Sequence, residues 1–134
     1  MNPLSILIVD DDETMREALA LVLKGTPHLP TFAADATTAL RYLGQAHFDV
    51  VLTDILLSEQ DGTVVLQAAA RLQPHARLVA MSGGGERLSP SYCLSLGVAF
   101  GAVAPLMKPF TLADLLAAVE GRPIQPVRDA CWLG

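Results

Sequence analysis

Five residues of this chain could do chemistry together if folding brought them to one place: Asp10, Asp11, Asp54, Ser82 and Lys108. Asp10 and Asp11 begin a run of three acids with Asp12, immediately after the apolar stretch "ILIV". Adjacent carboxylates repel one another, so an acid run at the end of a buried element calls for a counter-charge. Solvent, a lysine or a metal ion could supply it. Clustered carboxylates suit a hard divalent cation such as Mg²⁺, which takes a few carboxylates together with water and phosphate oxygens. Lys108 is one of only two lysines, the other being Lys24, so a lysine counter-charge has few sources. Taken singly each signal is weak. Asp after a strand is often only the solvated start of a helix, Asp54 alone could be a strand-end cap, and Lys108 alone would read as surface.

What gives these residues weight is where they fall along the chain. "SILIV" (5–9), "FDVVLTD" (48–54) and "ARLVAMS" (76–82) read as strands buried on both faces, "LPTFA" (29–33) as a weaker strand and "GAVAPLM" (101–107) as the last. Between them run helical patterns. Met15, Ala18, Leu19, Val22 and Leu23 share one spacing, with Gly25 to end it, and a second helix covers 36–46. Gly62 opens a third, with Val65, Leu66, Ala69 and Leu72 on its stripe. "SPSYCLSLG" (89–97) reads as a helix with Ser89 as cap and Pro90 at its first position. "TLADLLAAVEG" is a helix opened by Thr111 and Asp114 in the manner of a capping box.

Five strand–helix repeats imply an α/β fold: a five-stranded parallel sheet with helices on both faces and right-handed crossovers. Ligands of such sheets bind beyond the carboxyl ends of the strands. Four of the five strands end in a polar group, at Asp10–Asp12, Asp54, Ser82 and Lys108. A parallel sheet puts these ends on one edge. Acids, a hydroxyl and an ammonium group would then share a cleft.

A length of 134 residues fits one domain, and 51% hydrophobic content is ample for a core. The net charge of −5 disfavours electrostatic binding to nucleic acid or anionic lipid. Cys93 and Cys131 have no metal-type spacing and fit a reduced interior. The start of the chain does not read as a signal peptide, and no apolar run reaches the roughly 18 residues of a membrane span. A cytoplasmic location without membrane insertion is the expectation. His28, His47 and His75 fall in connections and share no motif, so surface or capping roles are expected for them.

The motifs "VDDD" (9–12), "TDILLSEQDG" (53–62), "MSGGG" (81–85) and "MKPFT" (107–111), in order and each at a strand end, resemble a response regulator receiver domain of two-component signalling. The resemblance covers residues 5 to about 121. It implies the flavodoxin-like doubly wound fold with strand order 2-1-3-4-5. Asp54 matches the phosphoacceptor of that family. Asp10 and Asp11 match the acidic pair that holds Mg²⁺, Asp11 directly and Asp10 largely through water. The backbone carbonyl of Leu56 matches a further metal ligand, Ser82 the hydroxyl that binds a phosphoryl oxygen, and Lys108 the lysine that pairs with the phosphoryl group. Asp12 has no such role and reads as a helix cap. The implied phosphodonor is a phospho-histidine on a sensor histidine kinase or a histidine phosphotransfer protein. The implied output is switched binding of a further protein, without direct contact to nucleic acid. Such a domain is not an enzyme, although it assists its own phosphorylation and dephosphorylation. Residues 1–121 form the expected domain, of the stand-alone form, and 122–134 a tail with no second domain.

The chain departs from the family pattern at Ser58, where proline is usual, and at Pro105, where many members carry an aromatic switch residue. A proline cannot flip between rotamers, and it makes the last strand an edge or distorts it. Signalling is therefore expected to run through Ser82 and the glycines after it, which resist φ/ψ change little, into residues 86–97. Those glycines are no phosphate-binding P-loop, since no Gly-Lys-Ser/Thr follows them. Two other classes fit parts of the pattern. Asp10-x-Asp12-x-Thr14 resembles the first motif of haloacid dehalogenase-type phosphatases, with Asp10 as nucleophile and Asp12 as general acid/base, but the fourth strand lacks the acidic metal motif that family needs. A receiver-like docking module that is never phosphorylated is the other.

Overall fold

The computed structural model describes residues 3–55, 57, 62–82 and 103–121, with Ser82 and Val103 by backbone alone. Within them the element order is β1 (Ser5–Val9), α1 (Glu13–Lys24), β2 (Leu29–Ala33), α2 (Ala36–Leu43), β3 (Val50–Asp54), α3 (Thr63–Leu72), β4 (Arg77–Ser82), β5 (Val103–Met107) and α4 (Leu112–Glu120). The strands form one parallel sheet in the order β2-β1-β3-β4-β5. The expected fold and strand order are those observed. The readings of a helix over 89–97, of the glycine loop at 83–85, of Leu56 and Ser58, and of the tail at 122–134 lie outside the described residues.

Alternating side chains divide the core between the two faces of the sheet, as the pleat requires. Leu7, Val9, Val51 and Ala80 pack against α2 and α3. Ile6, Ile8, Leu52 and Met81 pack against α1 and α4 through Leu19, Leu23, Leu115 and Ala118. β1 and β3 are buried on both faces, which is why they read as unbroken apolar runs. β5 is an edge strand, as its proline requires, and Pro105 stays in register opposite Ala80.

Local chemistry sets the helix starts. The carboxylate of Asp12 accepts from the Thr14 N–H at 3.0 Å, that of Asp35 from Thr38 N–H at 2.7 Å, and the Thr111 hydroxyl from Asp114 N–H at 3.0 Å. α2 ends at Leu43, three residues earlier than its periodicity indicates, because the Gly44 N–H turns back to the Leu40 and Arg41 carbonyls.

His28 departs from its expected surface role. It is buried, its Nδ1 accepts from the Leu4 N–H at 3.2 Å, and its Nε2 lies 3.0 Å from Glu120 Oε2. It ties the last residue of α4 to the chain entering β1, at the amino end of the strands. His47 follows expectation: it is exposed and pairs with Asp49 at 3.0 Å.

Candidate functional site

The winding of the sheet reverses between β1 and β3, the place where ligands of such sheets bind beyond the carboxyl ends of the strands. The register pairs Val9 with Thr53, so Asp10 and Asp54 leave adjacent strands in step. Lys108 follows β5, two strands away, and its side chain reaches back across the edge. Lys108 Nζ donates to Asp10 Oδ2 at 2.8 Å and to Asp54 Oδ2 at 3.3 Å. The ammonium thus bridges two carboxylates that would otherwise repel. This answers the counter-charge question raised by the acid run.

Asp10 is wholly buried, and each of its carboxylate oxygens accepts a hydrogen bond. Its N–H donates to the Ala33 carbonyl at 3.1 Å and its Oδ1 accepts from the Asp12 N–H at 2.9 Å. Its carbonyl accepts from Arg16 Nη1 at 2.8 Å, and Lys108 holds the second carboxylate oxygen. A buried carboxylate is tolerable only with such partners. Asp11 is exposed, and its side chain has no hydrogen bond or ion pair among the described residues.

Oxygen atoms of Asp10, Asp11 and Asp54 all lie within 4.8 Å of one another. Three hard oxygen donors at that spacing suit a hard divalent cation. Burial pulls the pKa of Lys108 down, but its hydrogen bonds and charge interactions with Asp10 and Asp54 outweigh that and hold it above the ordinary lysine value. The lysine is therefore a fixed cation at neutral pH.

The backbone around Asp54 is fastened on several sides. The Thr53 hydroxyl donates to the Asp54 carbonyl at 3.0 Å, and the Ile55 N–H donates to the Met81 carbonyl at 3.0 Å. The Gly62 N–H then closes the loop onto the Ile55 carbonyl at 2.6 Å. A Cβ on Gly62 would lie 1.8 Å from the Asp54 carbonyl oxygen, so only glycine permits this approach. The sequence marks Gly62 only as the opening of a helix. Its contact with Asp54 appears once the chain has returned to the strand end.

Of the residues expected at the site, Asp10, Asp11, Asp54 and Lys108 are brought together. Ser82 stands at the end of β4 on the same edge, opposite Met107. The Ser82 side chain and the Leu56 carbonyl lie outside the described residues. Arg16, which lies in none of the motifs, and Thr53, to which the motif at 53–62 gives no role, also touch the site.

The response regulator receiver domain family matches this chain over residues 6–120. Among curated proteins, the DNA-binding transcriptional regulator NtrC of Azospirillum brasilense is 26% identical over 120 residues, covering 90% of this chain. The chain spans 24% of that regulator's length. Among solved structures, a CheY-like receiver domain protein of Methanospirillum hungatei is 28% identical with a TM-score of 0.78, covering 90% of this chain and 93% of that one. A response regulator of Burkholderia pseudomallei, described with a phosphorylated aspartic acid and a calcium ion, is 26% identical with a TM-score of 0.76. That match covers 86% of this chain and 65% of the other. No described helix is long and apolar enough to cross a membrane.

Proposed function

The chain belongs to the response regulator receiver domain family of two-component signalling, and we propose that within it Asp54 takes a phosphoryl group from a phospho-histidine. The observation that carries this reading is the Lys108 ammonium bridging Asp54 and a buried Asp10. The likeness to a regulator that holds a phosphorylated aspartic acid supports it.

In the proposed reaction an Asp54 carboxylate oxygen forms a bond to phosphorus as the P–N bond of the donor breaks. The imidazole leaves with the electron pair of that bond, and the product is an acyl phosphate. The difficulty is electrostatic, since a carboxylate must approach an anionic phosphoryl group. Lys108 offsets part of that repulsion and remains beside the equatorial oxygens. Asp10 keeps Lys108 in place through their 2.8 Å bond. Asp10 has no exposed surface, whereas Asp54 keeps 6%, which argues against the phosphatase reading in which Asp10 is the nucleophile.

Asp11 and Asp54 would hold Mg²⁺ directly and Asp10 through water, with the Leu56 carbonyl as the further ligand the family pattern implies. The bound ion would supply charge to the phosphoryl oxygens. Phosphorylation would switch the binding of a further protein, and the donor would be a sensor histidine kinase or a histidine phosphotransfer protein. The DNA-binding activity in the name of the NtrC relative belongs to a protein about four times longer, and no contact with DNA is proposed for this chain.

The test is intact-mass measurement after treatment with acetyl phosphate. The protein should gain one phosphoryl group with Mg²⁺ present and none with a chelator. Labelling that ignores Mg²⁺, or no labelling at all, would contradict the reading.

A further inference from the structure

Asp10 is tied at its backbone carbonyl by a residue that the acceptor chemistry does not use. Arg16 lies on α1, half-buried, and donates from Nη1 to the Asp10 carbonyl at 2.8 Å. Among the described residues this is the only hydrogen-bond partner of its guanidinium. The carbonyl belongs to the peptide unit that joins Asp10 to Asp11. Because that unit is planar and stiff, holding its oxygen fixes the direction in which Asp11 leaves the strand. The Asp11 side chain is exposed and without a partner among the described residues, so only its backbone, tied here by Arg16 and on the other side by the Asp12 N–H on Asp10 Oδ1 at 2.9 Å, can aim it. Its closeness to Asp10 and Asp54 is inherited from the backbone.

We propose that Arg16 is a positioning residue for the divalent cation: by clamping the Asp10–Asp11 peptide it keeps the Asp11 carboxylate facing those of Asp10 and Asp54. The inference rests on reading the acid cluster as a Mg²⁺ site. Charge and positioning predict opposite signs, which makes the idea testable. Arg16 is a cation near a site for a dication, so by charge alone its removal strengthens Mg²⁺ binding. By positioning, its removal weakens binding, because one of the ties that aim Asp11 is lost.

The experiment is calorimetric titration of the full chain with Mg²⁺, for the wild type, Arg16→Met and Arg16→Lys. Labelling of Asp54 by acetyl phosphate is measured alongside at limiting and saturating Mg²⁺. Arg16→Met keeps an unbranched stem and loses every donor. It should weaken Mg²⁺ binding about tenfold, the low end of what losing a partner behind a metal ligand typically costs. Arg16→Lys keeps the charge and a donor without the planar fork, and should fall between Arg16→Met and the wild type. The labelling defect should appear at limiting Mg²⁺ and diminish as Mg²⁺ saturates, a split that a general loss of structure would not produce. Binding in Arg16→Met as tight as in the wild type, or tighter, overturns the proposal. Should Arg16→Met fail to fold, Arg16→Lys decides: weaker binding at constant charge supports the clamp, and wild-type binding overturns it. A wild-type protein that binds no Mg²⁺ refutes the site reading itself, a different result from either.

Discussion

Lys108 carries the balance of charge at the site, and its removal should be felt twice. Lys108→Met leaves the Asp10 carboxylate buried without its cation and facing Asp54. Breaking a buried pair in this way typically costs about 3–5 kcal/mol. In thermal melts without divalent ions the variant should be markedly less stable than the wild type, and Mg²⁺ should raise its melting temperature more than that of the wild type. An equal response to Mg²⁺ in the two proteins would count against Lys108 as the resident counter-charge. The raised pKa of Lys108 fixes a sign with pH. Its stabilisation is fully present below the unfolded lysine pKa of about 10.4 and is lost as pH climbs through the higher folded value. Stability of the wild type should therefore fall more steeply in that alkaline window than that of Lys108→Met. Asp10, Asp11, Asp54 and Lys108 were legible in the sequence because each is a charged residue at or just past the end of an apolar run. Arg16 was not, since an arginine in a helix looks like any solvated position until its guanidinium is seen on the Asp10 carbonyl.

At the scale of elements, the loop from β3 to α3 is sealed by Gly62, where a side chain would strike the Asp54 carbonyl. Gly62→Ala should destabilise the fold by about 1–3 kcal/mol, the range for forcing an extra methyl into packed structure. It should also slow labelling of Asp54, because the obstructed group is the backbone of the proposed acceptor. Urea unfolding and a labelling time course measure the two effects, and a variant that is stable and labels normally would show that the loop yields freely. At the start of α4, Thr111→Ala removes the bond to the Asp114 N–H and should cost about 1 kcal/mol in the same unfolding assay. This cap was readable from Thr111 and Asp114, and Asp12 was readable as the cap of α1. The early end of α2 was not, because apolar spacing continues past Leu43 while the backbone already turns at Gly44.

Across the whole molecule the two ends of the sheet do different work. The carboxyl ends hold the acids and Lys108. The amino ends are fastened by His28 with Glu120 and by Asp49 with Ser5 and His47. The sequence could not show the first of these ties, since His28 and Glu120 are separated by 92 positions and neither lies in a motif. The Ser5 N–H, and then His47, hold the Asp49 carboxyl below its ordinary pKa. A depressed carboxyl stabilises the fold above its unfolded pKa of about 3.9, and that contribution is lost as pH falls through the lower folded value. Asp49→Asn should accordingly be less stable than the wild type at neutral pH and lose stability less steeply below about pH 4. Both ends of the sheet hold Asp54 in place, and borohydride trapping shows whether it takes a phosphoryl group. Borohydride reduces an acyl phosphate of aspartate to homoserine, so treatment after acetyl phosphate and Mg²⁺, followed by peptide sequencing, marks the acceptor. Homoserine should appear at position 54, and Asp54→Asn should show no trapping. Homoserine at position 10, or undiminished trapping in Asp54→Asn, would contradict Asp54 as the acceptor.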